Sequence, residues 1–387
     1  MIADFDALIH PLSRAKFLAS FVSKTPLHIR SSESGRATYL LTPTHINDII
    51  TSGLMWPDRF QVKLNGANIP EGFYTTKSRV APIDPVKLGK ITRQGASIIL
   101  QEIGAVVPEI GDIEQVVQRE LSVSGWTNAY LSFSKGGALS LHYDPHDVLV
   151  IQVEGRKRWR LYGQTETSPV RPMRLTEPGP ETVVAEHVLD PGDLLFVPRG
   201  VWHQAELESP TSIHLTFALE GFTGVELVKM LAEQSELEEL FRRYAPRTAD
   251  RAALPDWERN IKARLHELVD GMSLTAALTK ADGETRARPV SRLGLSPDLD
   301  DGTTLRTALR RRLSGDQWRG AGEVILGGAR QSLTPSSRLA LHAIDDRTVT
   351  SFGVLAAALE AKGLDRDASV GAVAELLDHG LVIIQKP

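Results

Sequence analysis

Two histidines and one aspartate form a pattern that could bind a metal ion. His142 and Asp144 are separated by a single residue, and His203 lies far downstream, in the segment Pro-Arg-Gly-Val-Trp-His at 198–203. Two imidazoles and one carboxylate that leave other coordination positions free are the ligand set of non-haem Fe(II) oxygenases. Because side-chain direction alternates along a strand, His142 and Asp144 would project to one face of an extended segment. The sequence therefore predicts that His142, Asp144 and His203 are metal ligands and form the catalytic centre.

The glycine and proline spacing around these ligands resembles the paired motifs of a cupin barrel. The second motif, G-x5-P-x-G-x2-H, is matched by Gly192, Pro198, Gly200 and His203. Two positions depart from many cupins, because Asp144 stands in place of a second histidine and Val148 in place of a ligating glutamate. The loss of a fourth protein ligand leaves room for a bidentate co-substrate and O2.

A wider set of segments resembles the JmjC oxygenases and, within them, the ribosomal-oxygenase group of protein hydroxylases. The segments that carry the resemblance are residues 128–130, 142–144, 155–162, 198–205 and 214–216. The resemblance implies a mainly β catalytic domain of the double-stranded β-helix (cupin jelly roll) type with flanking helices. It also implies dependence on Fe(II), on 2-oxoglutarate as co-substrate and on O2. The group's substrates are Arg or His side chains of ribosomal proteins, so a polypeptide substrate is expected.

Lys157 is the residue that the resemblance assigns to the far carboxylate of 2-oxoglutarate. The assignment has a chemical reason, because a dicarboxylate that binds iron at one end needs a buried cation at the other. Arg156 and Arg158 have the opposite strand parity, so they point outward if Lys157 points inward. The alternative is an ordinary solvated lysine on a strand.

Three further residues are predicted to contact the co-substrate or the substrate. Asn128 and Tyr130 share one face of the strand before His142, and Thr216 shares a face of the last barrel strand with His214. Packing inside the barrel is the alternative for each of them, and a core histidine is the alternative for His214. His146 and Asp147 follow the ligands, where contacts at the rim of the site are possible.

Composition limits the classes of protein that fit this chain. The 387 residues include no cysteine, so disulfides and thiolate metal sites are excluded, and the net charge of −4 gives no support to bulk binding of nucleic acid. No apolar run is long enough to span a membrane, and the first residues lack the pattern of a signal peptide. A cytoplasmic protein is the simplest expectation.

Changes of pattern divide the first part of the chain into predicted elements. Residues 1–222 are expected to form the catalytic domain. Helices are predicted at 14–22, 41–54 and 110–123, strands at 60–64 and 97–101, and short strands from 126 to 221. Gly155 is interpreted as a turn between two of these strands, and residues 165–182 as a loop at the rim of the barrel.

The remainder of the chain is predicted to be mainly helical. Residues 223–285 contain helical stretches at 224–244 and 255–272, and the resemblance implies a homodimer through this segment, with intramolecular packing as the alternative. Residues 286–303 are a predicted linker. Residues 304–387 show the order helix, helix, helix, strand, which resembles a winged helix. Its stretch 369–378 carries Glu375 and Asp378 but no basic residue, so contacts with protein are predicted and nucleic-acid binding is not.

Three other functions remain open from the sequence. The chain could hydroxylate the precursor peptide of a natural product, or remove methyl groups from N-methyl-lysine, with the same metal and co-substrate. It could also be a cupin-like binding module that holds a metal or a peptide without turnover. The intact set of three ligands together with Lys157 argues against the binding module, because a protein without turnover has no need of all four.

Overall fold

A computed structural model describes residues 2–385 apart from residues 3, 34–35, 54, 78–81, 134–138, 172–178, 248–249, 285–298, 314–322, 327–328 and 348. The chain divides into two compact units, Met1–Glu220 and Gly221–Pro387. The predicted linker at 286–303 and the predicted rim loop at 165–182 fall partly outside the described residues.

The first unit combines helices on its N-terminal side with a large sheet. Its helices are α1 (Phe5–Ile9), α2 (Arg14–Ser23), α3 (Pro43–Thr51), α4 (Pro85–Thr92) and α5 (Pro108–Leu121). Its strands are β1 (Leu27–Ile29), β2 (Phe60–Leu64), β3 (Ala67–Asn68), β4 (Ser97–Leu100), β5 (Ser124–Ser132), β6 (Asp147–Gln164), β7 (Val183–Leu189), β8 (Leu194–Val197) and β9 (Val201–Glu220). Thr42 caps α3, since its side chain accepts a hydrogen bond from the backbone of His45.

The nine strands form one antiparallel sheet in the order β1-β8-β6-β9-β5-β4-β2-β3, with β7 beside β6. Strand β6 pairs with β9 on one side along its whole length. On its other side, the first half of β6 pairs with β8 and the second half with β7, so the first half meets the end of β9 and the second half its start. The predicted β core with flanking helices is confirmed, and its architecture is consistent with a JmjC or cupin fold.

Successive side chains of β6 belong alternately to two different apolar clusters. Leu149 and Ile151 belong to the large core that also contains side chains of α1, α2 and α5. Val148 and Val150 belong to a second cluster together with Trp159 and Leu161. Even-numbered residues before Gly155 therefore share a face with odd-numbered residues after it, so the strand changes parity between the two runs.

Gly155 lies at this change, and the predicted turn there is wrong. Strand β6 continues through Gly155, with shifts of register against β9 between Gln152 and Glu154 and between Gly155 and Lys157. Gly155 has a φ of 66°, and a Cβ atom at this position would lie 2.0 Å from the carbonyl oxygen of Thr211. A glycine is needed because the backbone of β9 occupies the space of a side chain.

The second unit contains a helical part followed by a small mixed part. Its elements are α6 (Gly224–Glu236), α7 (Glu239–Arg242), α8 (Leu254–Asp270), α9 (Leu274–Glu284), β10 (Thr304–Thr307), β11 (Glu323–Leu326), β12 (Ala329–Ser332), α10 (Pro335–Arg347), β13 (Val349–Ser351), α11 (Phe352–Glu360), α12 (Arg366–Asp378) and β14 (Val382–Gln385). Strands β13, β10 and β14 form one sheet, and β11 and β12 another. Two expectations differ: the helix at 224–244 ends at Glu236, and the part after 304 begins with a strand.

Candidate metal and co-substrate site

The two predicted ligand segments lie side by side. The backbone N–H of His203 donates to the carbonyl oxygen of His142 at 2.7 Å, and the N–H of His142 donates back to His203 at 3.2 Å. The N–H of Gly200 also donates to the carbonyl oxygen of Asp144 at 3.0 Å. His142 forms an isolated bridge, and β6 begins only at Asp147, so the expected regular strand through His142 and Asp144 is absent.

The side chains of His142, Asp144 and His203 converge on one point. One ligand atom from each residue lies within 4.8 Å of the others. The Nε2 atoms of His142 and His203 are 3.9 and 3.6 Å from Asp144 Oδ2. These spacings and this donor set fit a divalent metal ion with open positions.

Each imidazole is oriented by a backbone carbonyl group. The Nδ1 atom of His142 is 2.8 Å from the carbonyl oxygen of Ser140, and that of His203 is 3.0 Å from the carbonyl oxygen of Val201. If Nδ1 carries the proton in both rings, each Nε2 lone pair is free for a metal. Burial, followed by the neighbouring His142, lowers the pKa of His203 to about 4, so this ring is neutral at neutral pH.

A pocket opens from this point into the barrel. Its lining residues are Tyr130, Leu139, His142, Asp144, Val148, Lys157, Trp159, His203, Ala205, His214 and Thr216. The lining therefore contains all three candidate ligands and three of the four residues predicted to bind the co-substrate. The aromatic and aliphatic members give the pocket a largely apolar wall, in which a few polar groups can fix the orientation of a small ligand.

Lys157 is buried in this pocket, at 2% exposure. Its Nζ atom donates to Ser132 Oγ at 2.9 Å and lies 3.3 Å from His214 Nδ1. Burial lowers the pKa of Lys157 to about 7. Within the part of the chain that the structure describes, Nζ forms no ion pair with a carboxylate, so an incoming anion would supply the missing charge partner.

The neighbouring arginines point away, as their parity predicts. Arg156 is exposed and pairs with Asp190 at 2.8 Å. Arg158 pairs with Glu186 and with Glu208, the latter at 2.5 Å, on the outer face of β6 and β9. The parity change at Gly155 thus leaves Lys157 as the basic residue of this run that faces the pocket.

Tyr130 and His214 form the wall beside Lys157. Their rings stack at 4.8 Å with an interplanar angle of 8°, and Trp159 meets His214 edge-on at 5.5 Å. Burial, and then the charge of Asp144, raises the pKa of Tyr130 to about 12. Burial, and then the charge of Lys157, holds the pKa of His214 well below its usual value, so the neutral ring can accept a hydrogen bond from Lys157 Nζ at its Nδ1 atom.

The four predicted co-substrate residues have different surroundings. Lys157, Tyr130 and Thr216 line the pocket, whereas Asn128 does not. The side-chain oxygen of Asn128 instead accepts a hydrogen bond of 3.1 Å from the backbone of Glu102. Ser132 and Trp159 were missed, although each continues the parity of a predicted residue, Ser132 that of Tyr130 and Trp159 that of Lys157.

Asp147 follows the first ligand segment, connects it to the second by a hydrogen bond and does not lie at the rim of the site. It is buried, it pairs with Lys24 Nζ at 2.5 Å, and its Oδ1 accepts the backbone N–H of Arg199 at 3.0 Å. The prediction of a rim contact for Asp147 is therefore wrong. His146 packs against Trp126, with ring centroids 5.3 Å apart.

Comparison with known proteins identifies a domain that covers the second half of the first unit and the first residues of the second. Residues 104–227 match the JmjC domain, and the chain therefore contains a JmjC domain. Ribosomal oxygenase 1 of Rattus norvegicus is 31% identical over 218 residues, which cover 51% of this chain and 36% of that protein. The bifunctional lysine-specific demethylase and histidyl-hydroxylase NO66 of Aedes aegypti is 26% identical over 220 residues, covering 56% of this chain and 34% of that protein. The chain spans about a third of the length of these relatives.

Solved structures show the same fold over a longer stretch. The crystal structure of the Escherichia coli ribosomal oxygenase YcfD has a TM-score of 0.60 at 18% identity, covering 97% of this chain and 98% of that one. A second structure of YcfD, in complex with cobalt and 2-oxoglutarate, has a TM-score of 0.58. Among the described residues, no helix has the length and apolarity needed to cross a membrane.

Proposed function

We propose that this chain, whose residues 104–227 form a JmjC domain, is an Fe(II)- and 2-oxoglutarate-dependent protein hydroxylase. The observation that carries the proposal is a single pocket that contains both His142, Asp144 and His203 and the buried Lys157. A metal triad at one end and a buried ammonium group at the other match the two functional ends of 2-oxoglutarate.

Different residues of the pocket would bind the metal ion and the co-substrate. His142, Asp144 and His203 would hold Fe(II), and Lys157, supported by Ser132, would bind the far carboxylate of 2-oxoglutarate. When bound, the metal with 2-oxoglutarate and O2 supplies the oxidising power that inserts one oxygen atom into a C–H bond, while 2-oxoglutarate becomes succinate and CO2.

The remaining pocket residues shape and dry the site. Val148, Trp159 and Ala205 line it with apolar surface, which strengthens the charge interaction between Lys157 and a carboxylate by excluding water. Tyr130 remains protonated at neutral pH because its pKa is raised to about 12, so its hydroxyl group can donate a hydrogen bond to an anion. Thr216 lines the same pocket and offers a second hydroxyl group.

The substrate that we propose is an Arg or His side chain of a ribosomal protein. The support is the similarity to proteins named ribosomal oxygenase and histidyl-hydroxylase. A natural-product precursor peptide is the alternative polypeptide, and lysine demethylation is the alternative reaction that the name of the NO66 relatives contains. A cupin-like binding module without turnover is the alternative outside catalysis.

The remaining parts of the proposal concern assembly. We infer a catalytic domain at 1–222, a helical homodimerisation segment at 223–285, a linker at 286–303 and a winged-helix domain at 304–387 that contacts protein. The order α10, β13, α11, α12, β14 supports the winged helix. We expect a cytoplasmic location and no strong nucleic-acid binding.

The test combines turnover with product identification. Purified protein with Fe(II) and 2-oxoglutarate is incubated with ribosomal proteins, succinate is quantified by NMR, and the proteins are analysed by mass spectrometry. We expect stimulated succinate formation and the gain of one oxygen atom on a single side chain, both absent in the His203→Ala variant. Metal and 2-oxoglutarate binding without stimulated turnover on any peptide would support the binding module instead.

A further inference from the structure

Tyr143 lies between the candidate ligands His142 and Asp144, and Trp202 directly precedes His203. Neither aromatic side chain lines the pocket. They form a separate apolar cluster with Tyr162 and Leu141, and they are only 4% and 3% exposed. Their rings meet edge to face with centroids 5.0 Å apart. Because the backbones of His142 and His203 are hydrogen-bonded to each other, this contact joins the two ligand segments a second time, outside the pocket.

Both side chains also donate a hydrogen bond to the start of the segment that follows β6. The hydroxyl group of Tyr143 donates to Glu166 Oε2 at 2.8 Å, and the indole N–H of Trp202 donates to Thr165 Oγ1 at 2.8 Å. The two acceptors are consecutive residues, and both are exposed. Each ligand segment therefore carries a buried aromatic residue that donates a hydrogen bond to the exposed pair Thr165 and Glu166.

Contacts with backbone atoms of Arg199 and Gly200 hold residues 164–166 against the turn that precedes His203. Gln164 Nε2 donates to the carbonyl oxygen of Arg199 at 3.0 Å. A Cβ atom on Gly200 would lie 2.7 Å from the carbonyl oxygen of Glu166, and Gly200 has a φ of 80°. The chain at 164–166 is thus in direct contact with the backbone that carries the third ligand.

The orientation of the two imidazole rings depends on this arrangement of the backbone. The Nδ1 atoms of His142 and His203 face the carbonyl oxygens of Ser140 and Val201, so backbone groups orient the rings. The direction of each Nε2 atom then depends on the path of the backbone through 140–144 and 201–203. Groups that orient metal ligands from outside the coordination sphere tune affinity and geometry.

We propose that Tyr143 and Trp202 are positioning residues that fix this path by their hydrogen bonds to Glu166 and Thr165. The surface residues Thr165 and Glu166 then support the metal site, although their side chains accept hydrogen bonds from Trp202 and Tyr143 and not from the metal ligands. The inference rests on the metal-binding part of the proposed function and requires no particular substrate.

The test is a Co(II) titration of the full-length protein, followed by the visible absorption of the bound ion. Thr165→Val, Glu166→Ala, Tyr143→Phe and Trp202→Phe should each weaken Co(II) binding about 10-fold or more and alter the absorption bands. The pairs Thr165→Val with Trp202→Phe and Glu166→Ala with Tyr143→Phe should be non-additive, because each pair removes one hydrogen bond. Tyr162→Phe is the matched control, since it removes a hydroxyl group from the same cluster and should change neither quantity.

The outcomes separate this inference from the proposed function. If the wild-type protein binds no Co(II), the metal site itself is wrong. If the wild type binds Co(II) and the four variants bind it equally, with unchanged spectra, the positioning role is overturned. Weaker binding confined to Tyr143→Phe and Trp202→Phe, with additive effects, would indicate packing alone and would also overturn it. Urea unfolding of the metal-free variants shows whether a loss of affinity reflects a loss of fold.

Discussion

Lys157 carries a basic group that is buried and that forms no ion pair with a carboxylate of the described residues. Removing an ammonium group from water disfavours its charged form, which is why its pKa falls to about 7. A carboxylate that arrives at Nζ favours the charged form again. If Lys157 binds the co-substrate carboxylate, as proposed, binding at neutral and alkaline pH is coupled to the uptake of a proton by this residue.

The first prediction follows from the sign of this coupling. Below pH 7 Lys157 is already charged, so 2-oxoglutarate affinity should change little with pH. Above pH 7 the free protein loses the proton that the complex retains, so affinity should fall by about 10-fold per pH unit until the pKa of the complex is reached. Calorimetry in buffers of different ionisation enthalpy measures both the affinity and the proton uptake.

Lys157→Arg is the matched control for this prediction, because a guanidinium group keeps its charge throughout this pH range. Any 2-oxoglutarate affinity that remains in this variant should be independent of pH between 7 and 9, within the same assay. A wild-type affinity that is constant over that range, without proton uptake, would place the co-substrate carboxylate on another group.

The second prediction concerns the three ligands. Replacement of His142, Asp144 or His203 by Ala should lower Co(II) affinity by more than the roughly 10- to 100-fold typical of residues outside the coordination sphere. His146→Ala is the matched control, because it removes a neighbouring imidazole that packs on Trp126. Equal losses in His146→Ala and in the three ligand variants would contradict the assignment. Equilibrium dialysis or absorption titration gives the affinities.

At the scale of elements, the change of parity in β6 decides which residues reach the pocket. Val148 faces the pocket before Gly155, and Lys157 and Trp159 face it afterwards. Without the extra residue at the bulge, strict alternation from Val148 would place Arg156 and Arg158 inward and Lys157 outward. The bulge at Gly155 therefore decides that Lys157, and not Arg156 or Arg158, faces the pocket.

The third prediction tests this dependence. Gly155→Ala should destabilise the fold by about 1–3 kcal/mol, because the added Cβ meets the backbone of Thr211 and φ is positive. The variant should also bind 2-oxoglutarate less tightly, since Lys157 lies two residues away. Gly163→Ala, in the same strand with open space around its Cβ, should leave both properties unchanged. Urea denaturation and calorimetry measure the two effects, and equal stability of the two variants would contradict the argument.

These elements also show how far the sequence alone leads. Residue types and spacing were enough to predict the convergence of His142, Asp144 and His203, whereas the inward direction of Lys157 was predicted from the resemblance to the JmjC oxygenases. The bulge at Gly155 was not predictable, because a glycine between two apolar runs suits a turn as well as a bulge. The burial of Asp147 depends on Lys24 and Arg199, which are distant in sequence, and no local pattern indicates such a pairing.

At the scale of the molecule, the charge argument about the C-terminal unit changes. Glu375 is one of the two acidic residues of the stretch 369–378 that led to the prediction of weak nucleic-acid binding. Its carboxylate instead accepts hydrogen bonds from the backbone and hydroxyl group of Thr334, at 3.1 and 2.6 Å, and from Ser337. Glu375 therefore binds Thr334, the residue whose hydroxyl group caps α10, so its charge says little about the outer surface. The expectation of weak nucleic-acid binding then depends on the lack of Lys and Arg in residues 369–378.

The helical part of the second unit presents apolar side chains to solvent. Besides Tyr244 at 98%, the strongly exposed ones include Val228 at 65%, Leu237 at 80%, Val269 at 54% and Leu274 at 57%. An ion pair between Glu238 and Arg264, with distances of 2.7 and 2.8 Å, joins the start of α7 to α8. Exposed apolar side chains gathered in one segment are typical of a surface that binds another protein. The homodimer proposed for this segment would cover them.

The last prediction therefore concerns oligomeric state. The wild-type protein should be a dimer in sedimentation equilibrium at micromolar concentration, and Val228→Asp combined with Leu237→Asp should shift it to a monomer, because a charge at a buried apolar contact is unfavourable. Val354→Asp is the matched control, since Val354 is 51% exposed on α11, outside this segment, and this variant should remain a dimer. Retained Co(II) binding in the monomeric variant would show that the first unit is still folded. A monomeric wild-type protein, or a dimer that survives both substitutions, would assign these apolar side chains to packing within the chain or to a different partner.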